Sequence, residues 1–405
     1  MNKTIQQVGS GRPRYFIVLA GIIGLFASLG IGRFALGMLL PSMGEALDLS
    51  YAQMGAVGTV NFCGYLVAVL VCGKLSDMFG ARTLISLALA AVGLSMMAVG
   101  LVNHVYPVLV LYFLTGVGSG LSNVPIMALV AAWFPPAQRG RAAGLVVTGN
   151  GMGIIMAAYL VPVLTGAGFS WRLGWLSLGA TATICAVICW LLIGNAVVSG
   201  RDQHVASGWS QRRDGIEVPV ARLVQCGVLY FLFGFSYVIY VTFFVTSLIQ
   251  ERGFSPERAG MLWSWVGVCS LASGFLFGVF SDRFGRRLGL AAIFSLQAFA
   301  YLGASAVLPV LFIYPSLVCF GLAAWSLPAV MAALVGDLVG AARATAVFGY
   351  ITFVFGIGQI AGPAVVGVAA QSTGSFSTGF LLAAACAVGG VIVALLLPKK
   401  TVSGG

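Results

Sequence analysis

The chain has 405 residues, of which 60% are hydrophobic and only 8% charged, and its mean hydropathy is +1.03. That excludes a soluble enzyme. At about 22 residues per membrane-crossing helix, the length suits twelve helices and short connections, so the expected fold class is an all-α membrane protein.

Apolar runs bounded by charge, Pro and Gly clusters place the first six spans near 15–41, 52–73, 82–102, 105–132, 142–166 and 172–193. A polar stretch follows at 194–222. Six more spans run near 223–249, 259–280, 288–306, 309–335, 344–369 and 375–397. The expected organisation is therefore a six-helix bundle over 1–193, a cytoplasmic central loop over 194–222, and a second six-helix bundle over 223–405. The first apolar run is too long for a cleaved signal and reads as a retained helix. The eight cysteines all fall inside apolar runs, without the spacing of a disulfide framework or metal site.

The formal net charge of +11 would suggest nucleic acid on a soluble protein. Here the positions decide otherwise. When loops are numbered alternately, 17 Lys and Arg fall on one side and 3 on the other, with Arg33 left inside a span. The positive-inside rule then puts both termini in the cytoplasm of a multi-pass protein of the cytoplasmic membrane. The basic residues are topology signals, and no nucleic-acid partner is expected.

The chain also repeats itself. Residues 73–82, Gly-Lys-Leu-Ser-Asp-Met-Phe-Gly-Ala-Arg, recur at 278–287 as Gly-Val-Phe-Ser-Asp-Arg-Phe-Gly-Arg-Arg, with Gly, Ser, Asp, Phe, Gly and Arg matched at an offset of 205. Each copy ends the second helix of its half, as expected of a duplicated transporter fold. These residues, the twelve spans and the long central loop resemble the major facilitator superfamily (MFS) of secondary transporters over the whole chain. The second copy departs from the superfamily signature with Phe280 in place of Leu. Trp133-Phe134 and Arg139-Gly140-Arg141-Ala142 before the fifth span are similar to the superfamily as well.

The resemblance implies two pseudo-symmetric bundles that rock about a central site. It further implies a conformational latch built from Gly73, Asp77, Gly80 and Arg82 in one copy and Asp282, Gly285 and Arg287 in the other. Gly73 would let helices approach closely. Asp77 would face the start of the eleventh span near Arg343, and Asp282 the start of the fifth near Arg141. The plainer alternative is a solvated loop that only fixes topology.

Every acidic residue lies near a span end or in a loop, which leaves Arg33 as the one central ionisable group apart from Tyr and Cys. Burying it is expensive unless it meets a partner. Three readings stand: it binds an anion brought by the substrate, it snorkels to the outer interface, or it bonds backbone carbonyls or Asn side chains. The repeat sets Arg33 in the first span against Tyr237 in the seventh, at offset 204, as pseudo-symmetric neighbours of one cavity. In the superfamily spans one, four, seven and ten line that cavity, which nominates Arg33, Asn123, Tyr237, Tyr240 and Trp325. Spans two, five, eight and eleven add Asn61, Tyr350 and Gln359. For each amide and phenol, an interhelical hydrogen bond is the alternative to substrate contact.

The expected function is transport of a small organic anion such as a carboxylate by alternating access, with uptake favoured over release. The alternative is a proton-coupled multidrug or metabolite efflux antiporter. The run Gly149-Asn150-Gly151-Met152-Gly153 partly matches the antiporter motif of the fifth span, yet carries Asn150 where that motif has Pro, and glycines so spaced also serve packing. A membrane enzyme or sensor would need clustered catalytic groups or a soluble output domain, and neither is visible. Proton symport, anion exchange and facilitated diffusion all remain open as coupling modes. No cofactor and no metal are expected, and a monomer is the superfamily's usual form.

Overall fold

The computed structural model describes residues 15–193 and 220–398, except for the side chains of 136, 137, 139, 341–343, 345 and 346. Among the described residues, twelve helices are long and apolar enough to cross a membrane. They are α1 (Tyr15–Ala46), α2 (Tyr51–Phe79), α3 (Ala81–Val99), α4 (Val105–Trp133), α5 (Gly140–Gly166) and α6 (Trp171–Leu192), then α7 (Val220–Gln250), α8 (Pro256–Phe284), α9 (Arg286–Ala304), α10 (Val310–Val339), α11 (Val347–Thr373) and α12 (Ser377–Leu395). Among the described residues there is no strand.

Local chemistry explains where several helices begin and end. A reciprocal capping box between Ser50 and Gln53 opens α2, and the Ser170 and Ser255 hydroxyls accept from backbone N–H groups at the starts of α6 and α8. Gly80 has φ 75° and ψ 151°, and Gly285 has φ 91° and ψ 154°, a region open only to glycine. Each ends one helix and starts the next with no residue to spare. The signature at 73–82 is accordingly helical up to Phe79, and its copy up to Phe284, where the sequence suggested span ends near 73 and 280. Nothing before the glycine breaks a helix.

Two spans are interrupted midway. In α1 a π-helical turn, Phe26–Ile31, and a turn at 32–35 separate Tyr15–Leu25 from Leu36–Ala46. In α10 a turn at 324–326 separates Ile313–Ala323 from Leu327–Val339. The two breaks meet, because the Phe34 ring sits edge-on to Trp325 with centroids 5.6 Å apart.

Helices α1–α6 pack chiefly among themselves, as do α7–α12, and the two groups meet mainly through α2 against α11, α5 against α8, and α1 against α7. These contacts concentrate at the end opposite the repeated loops. A methyl at Gly55 of α2 would come within 2.5 Å of the Pro363 carbonyl oxygen and 3.0 Å of Gly367 Cα. One at Gly260 of α8 would come within 2.5 Å of the Ala158 carbonyl oxygen. Five turns further along the same faces, Gly73, Gly144, Gly278 and Gly349 have no neighbour within 4 Å of where a Cβ would stand. The groups are joined at one end and part at the end that carries the repeated loops.

Candidate functional site

The interruption in α1 creates the site. The Gly32 N–H reaches back five residues to the Ala27 carbonyl at 3.0 Å, and both Arg33 and Phe34 donate to the Leu29 carbonyl at 3.1 Å. This displaces the ladder and frees carbonyls, which α4 then satisfies: the Ser119 hydroxyl donates to the Ser28 carbonyl at 2.7 Å and the Tyr112 hydroxyl to the Arg33 carbonyl at 3.1 Å. Gly30 lies directly against Gly153 of α5. The backbone around Arg33 is thus held from two sides.

The Arg33 side chain is 7% exposed, so it does not snorkel to an outer surface. Its guanidinium carbon lies 4.6 Å from the centroid of Phe62 and 4.3 Å from that of Tyr65, cation–π distances that partly offset lost hydration. Tyr65 is fixed by Asn123, whose Nδ2 donates to its hydroxyl at 2.8 Å. The Tyr237 hydroxyl faces the guanidinium and accepts from Gln359 Nε2 at 2.6 Å. Asn61 Nδ2 donates to the Tyr112 carbonyl at 3.2 Å. A cavity of ≈ 10 Å³ lies between Arg33, Asn61, Phe62, Tyr112 and Thr242.

One feature of the guanidinium matters most. Arg33 Nε and Nη2 are buried and have no hydrogen-bond partner among the described residues, and these two nitrogens form one edge of the fork, the geometry that receives a planar carboxylate through two parallel bonds. Arg33 is also the only buried charged residue among those described.

The structure therefore brings together Arg33, Asn61, Asn123, Tyr237 and Gln359, with Trp325 next to them through Phe34. Tyr240 is elsewhere: it is fully buried in the second bundle, shares a 2.9 Å hydrogen bond with Ser316 and stacks on Phe244 and Phe320. Tyr350 is 59% exposed on α11 and does not line the Arg33 cavity. Sequence reasoning missed Phe62, Tyr65 and Tyr112. The spacing of Asn61, Phe62 and Tyr65 puts them on one helix face and was the available signal.

The latch residues are placed differently from the sequence expectation. Gly73 approaches nothing closely, and Asp77 is exposed without a hydrogen bond or ion pair to any described residue. Asp282 does not reach α5. It is bound by Arg286 at 2.5 Å, and Arg286 also holds Asp337 at 3.1 Å. Arg141 is exposed, the Arg343 side chain lies outside the described residues, and Arg287 Nε is buried without a partner. Arg82 instead ties α3 to α6, donating to the Trp190 carbonyl at 2.9 Å. The geometry agrees with this, since Gly73, Gly144, Gly278 and Gly349 show the faces of the two bundles standing apart at this end. Glycines of the fifth span serve packing: Gly149 and Gly153 lie on α1, and Gly151 on Gly267 and Ser270 of α8.

Residues 25–395 match the family model described as "Uncharacterised MFS-type transporter YbfB". The chain belongs to this family. It is thus a multi-pass membrane transporter and not an enzyme. Among its relatives, the hexuronate transporter of Bacillus subtilis (strain 168) is 28% identical over 404 residues, covering 92% of this chain and 91% of the relative. The probable galactarate/D-glucarate transporter GudP of the same organism is 26% identical over 438 residues, covering 95% and 91%. The crystal structure of the nucleoside transporter NupG, in its D323A form, superposes with a TM-score of 0.75 at 15% identity, covering 95% of this MFS transporter and all of that chain.

Proposed function

We propose that this MFS transporter carries a small organic anion bearing a carboxylate across the cytoplasmic membrane by alternating access, with Arg33 as the counter-charge. The observation that carries the reading is the unpartnered Nε and Nη2 edge of a buried guanidinium, in spans whose interior offers no carboxylate to pair with it. A buried charge without a partner is unfavourable, and an anionic substrate relieves it. Relatives named for hexuronate and for galactarate/D-glucarate support the same class. The 17 to 3 bias of basic residues sets the repeated loops in the cytoplasm, so the described state opens inward. Its ≈ 10 Å³ cavity has about the room of one water, and substrate enters as the bundles part around it.

The test is a thermal-shift screen of the purified protein and its Arg33→Gln variant against hexuronates, aromatic acids and lipophilic cations. Ligands that bind the native state raise the melting temperature. Stabilisation by acids that vanishes in the variant is expected; equal stabilisation of both proteins, or stabilisation by cations alone, would overturn the reading. Arg33→Lys keeps the charge but loses the fork, and transport should fall about tenfold or more. Tyr237→Phe should shift apparent affinity while membrane expression holds.

A further inference from the structure

Arg33 is not the only group in its cavity that lacks a partner. Asn61 is 1% exposed, lines the same cavity, and its Oδ1 makes no hydrogen bond to a described residue. The amide cannot simply be turned round, because Nδ2 is committed to the Tyr112 carbonyl at 3.2 Å and a carbonyl accepts only from a donor. The residues around one small space therefore include a cation with two unpartnered donors and a neutral amide with one unpartnered acceptor. A bare carboxylate satisfies the first and leaves the second unmet. An acid that also presents an O–H satisfies both.

We infer that the Arg33 site selects hydroxylated monocarboxylates, with Asn61 Oδ1 accepting from the substrate hydroxyl while Arg33 Nε and Nη2 hold its carboxylate. This rests on the anion reading above and narrows it. Sites built to hydrogen-bond a substrate hydroxyl reject the analogue that lacks it, because the protein group is then left buried and unpaired. The restriction to one charge follows from the same inventory. With Arg33 the only buried charged residue among those described, a second carboxylate on the substrate meets phenols and amides but no cation, and a desolvated anion without a partner is strongly disfavoured. The neighbouring Tyr65 and Tyr237 hydroxyls offer further polar contacts to a polyhydroxylated body.

The experiment uses the full-length protein in proteoliposomes and measures binding or uptake of paired acids: mandelate against phenylacetate, which differ by one hydroxyl, and glucuronate against glucarate, in which the C1 aldehyde carbon of glucuronate is oxidised to a second carboxylate. Mandelate is expected to bind about tenfold or more tightly than phenylacetate, and glucuronate more tightly than glucarate. In Asn61→Leu the ratio of mandelate to phenylacetate affinity should collapse to within about twofold, whatever the overall affinity of the variant, a change of ratio that a loss of packing alone would not produce. If that variant does not fold, the wild-type ratios decide. Phenylacetate matching mandelate, or glucarate matching glucuronate, overturns the inference and leaves the anion reading standing. If no acid of any kind binds, the anion reading falls and takes this inference with it.

Discussion

The two ends of the molecule use the same helix faces in opposite ways. At the end away from the repeated loops, Gly55 and Gly367 bring α2 and α11 together, Thr59 donates to the Ile360 carbonyl at 3.3 Å across the joint, and Gly260 and Gly267 seat α8 on α5. At the other end Gly73, Gly144, Gly278 and Gly349 continue those faces into open space. Small residues that permit close approach are spread along all four helices, yet those toward the repeated loops, such as Gly73, Gly144, Gly278 and Gly349, are not engaged. A carrier that alternates needs both sets, since the faces open in one state are the ones to be joined in the other.

That comparison can be broken most directly at the joined end. Gly55→Leu places a side chain where the Pro363 carbonyl and Gly367 already sit, so the joint cannot form. Transport should drop by at least tenfold, and cysteines introduced along the α2–α11 face near Gly55 should become reactive to membrane-impermeant thiol reagents. Protection unchanged from wild type would mean that the helices tolerate separation there without opening a path. A smaller effect is expected from Asp77→Asn at the open end, where the aspartate has no hydrogen bond or ion pair to any described residue. Its partner would be met only when that end closes, so transport should fall severalfold with membrane expression preserved, and normal rates would sink the latch. Asp282→Asn should change stability as well as transport, because Arg286 holds both Asp282 and Asp337 within the second bundle; equal effects of the Asp77 and Asp282 substitutions would erase the distinction between the copies. The smallest change is Tyr51→Phe, which removes only a 3.5 Å contact to the Gly374 carbonyl and leaves the ring packed on Phe376. Less than a twofold loss in transport is expected there.

The number of spans, their order and the duplication were legible in the sequence, because lipid demands long apolar runs and the repeated loop fixes the register between halves. Helix ends were less legible. Residues 74–79 are polar enough to read as a loop, but no residue there stops a helix before Gly80, so α2 continues past the apolar run. The breaks in α1 and α10 carry little local signal, since Gly30 and Gly32 could equally serve packing and Pro328 lies beyond the turn it follows.

At the site, the repeat register found the pair of Arg33 and Tyr237. Tyr240 was misplaced for a physical reason. Helix α7 is buried around nearly its whole circumference between Cys226 and Leu248, so no amphipathic stripe tells which of its phenols meets Arg33 and which stays within its own bundle. Tyr65 and Phe62 escaped notice because aromatic rings in an apolar run look the same whether they fill space or cover a cation.

Arg33 also has an electrical consequence. A guanidinium carries one positive charge, and on the anion reading a bound monocarboxylate cancels it, so the loaded site is neutral and the empty site carries one positive charge. A membrane potential acts on a charge by about 2.3 kcal/mol per 100 mV for a full crossing, and it acts on nothing neutral. Voltage would therefore bear on the return of the empty carrier and leave the loaded stroke untouched, with a negative interior holding the vacant site toward the cytoplasm.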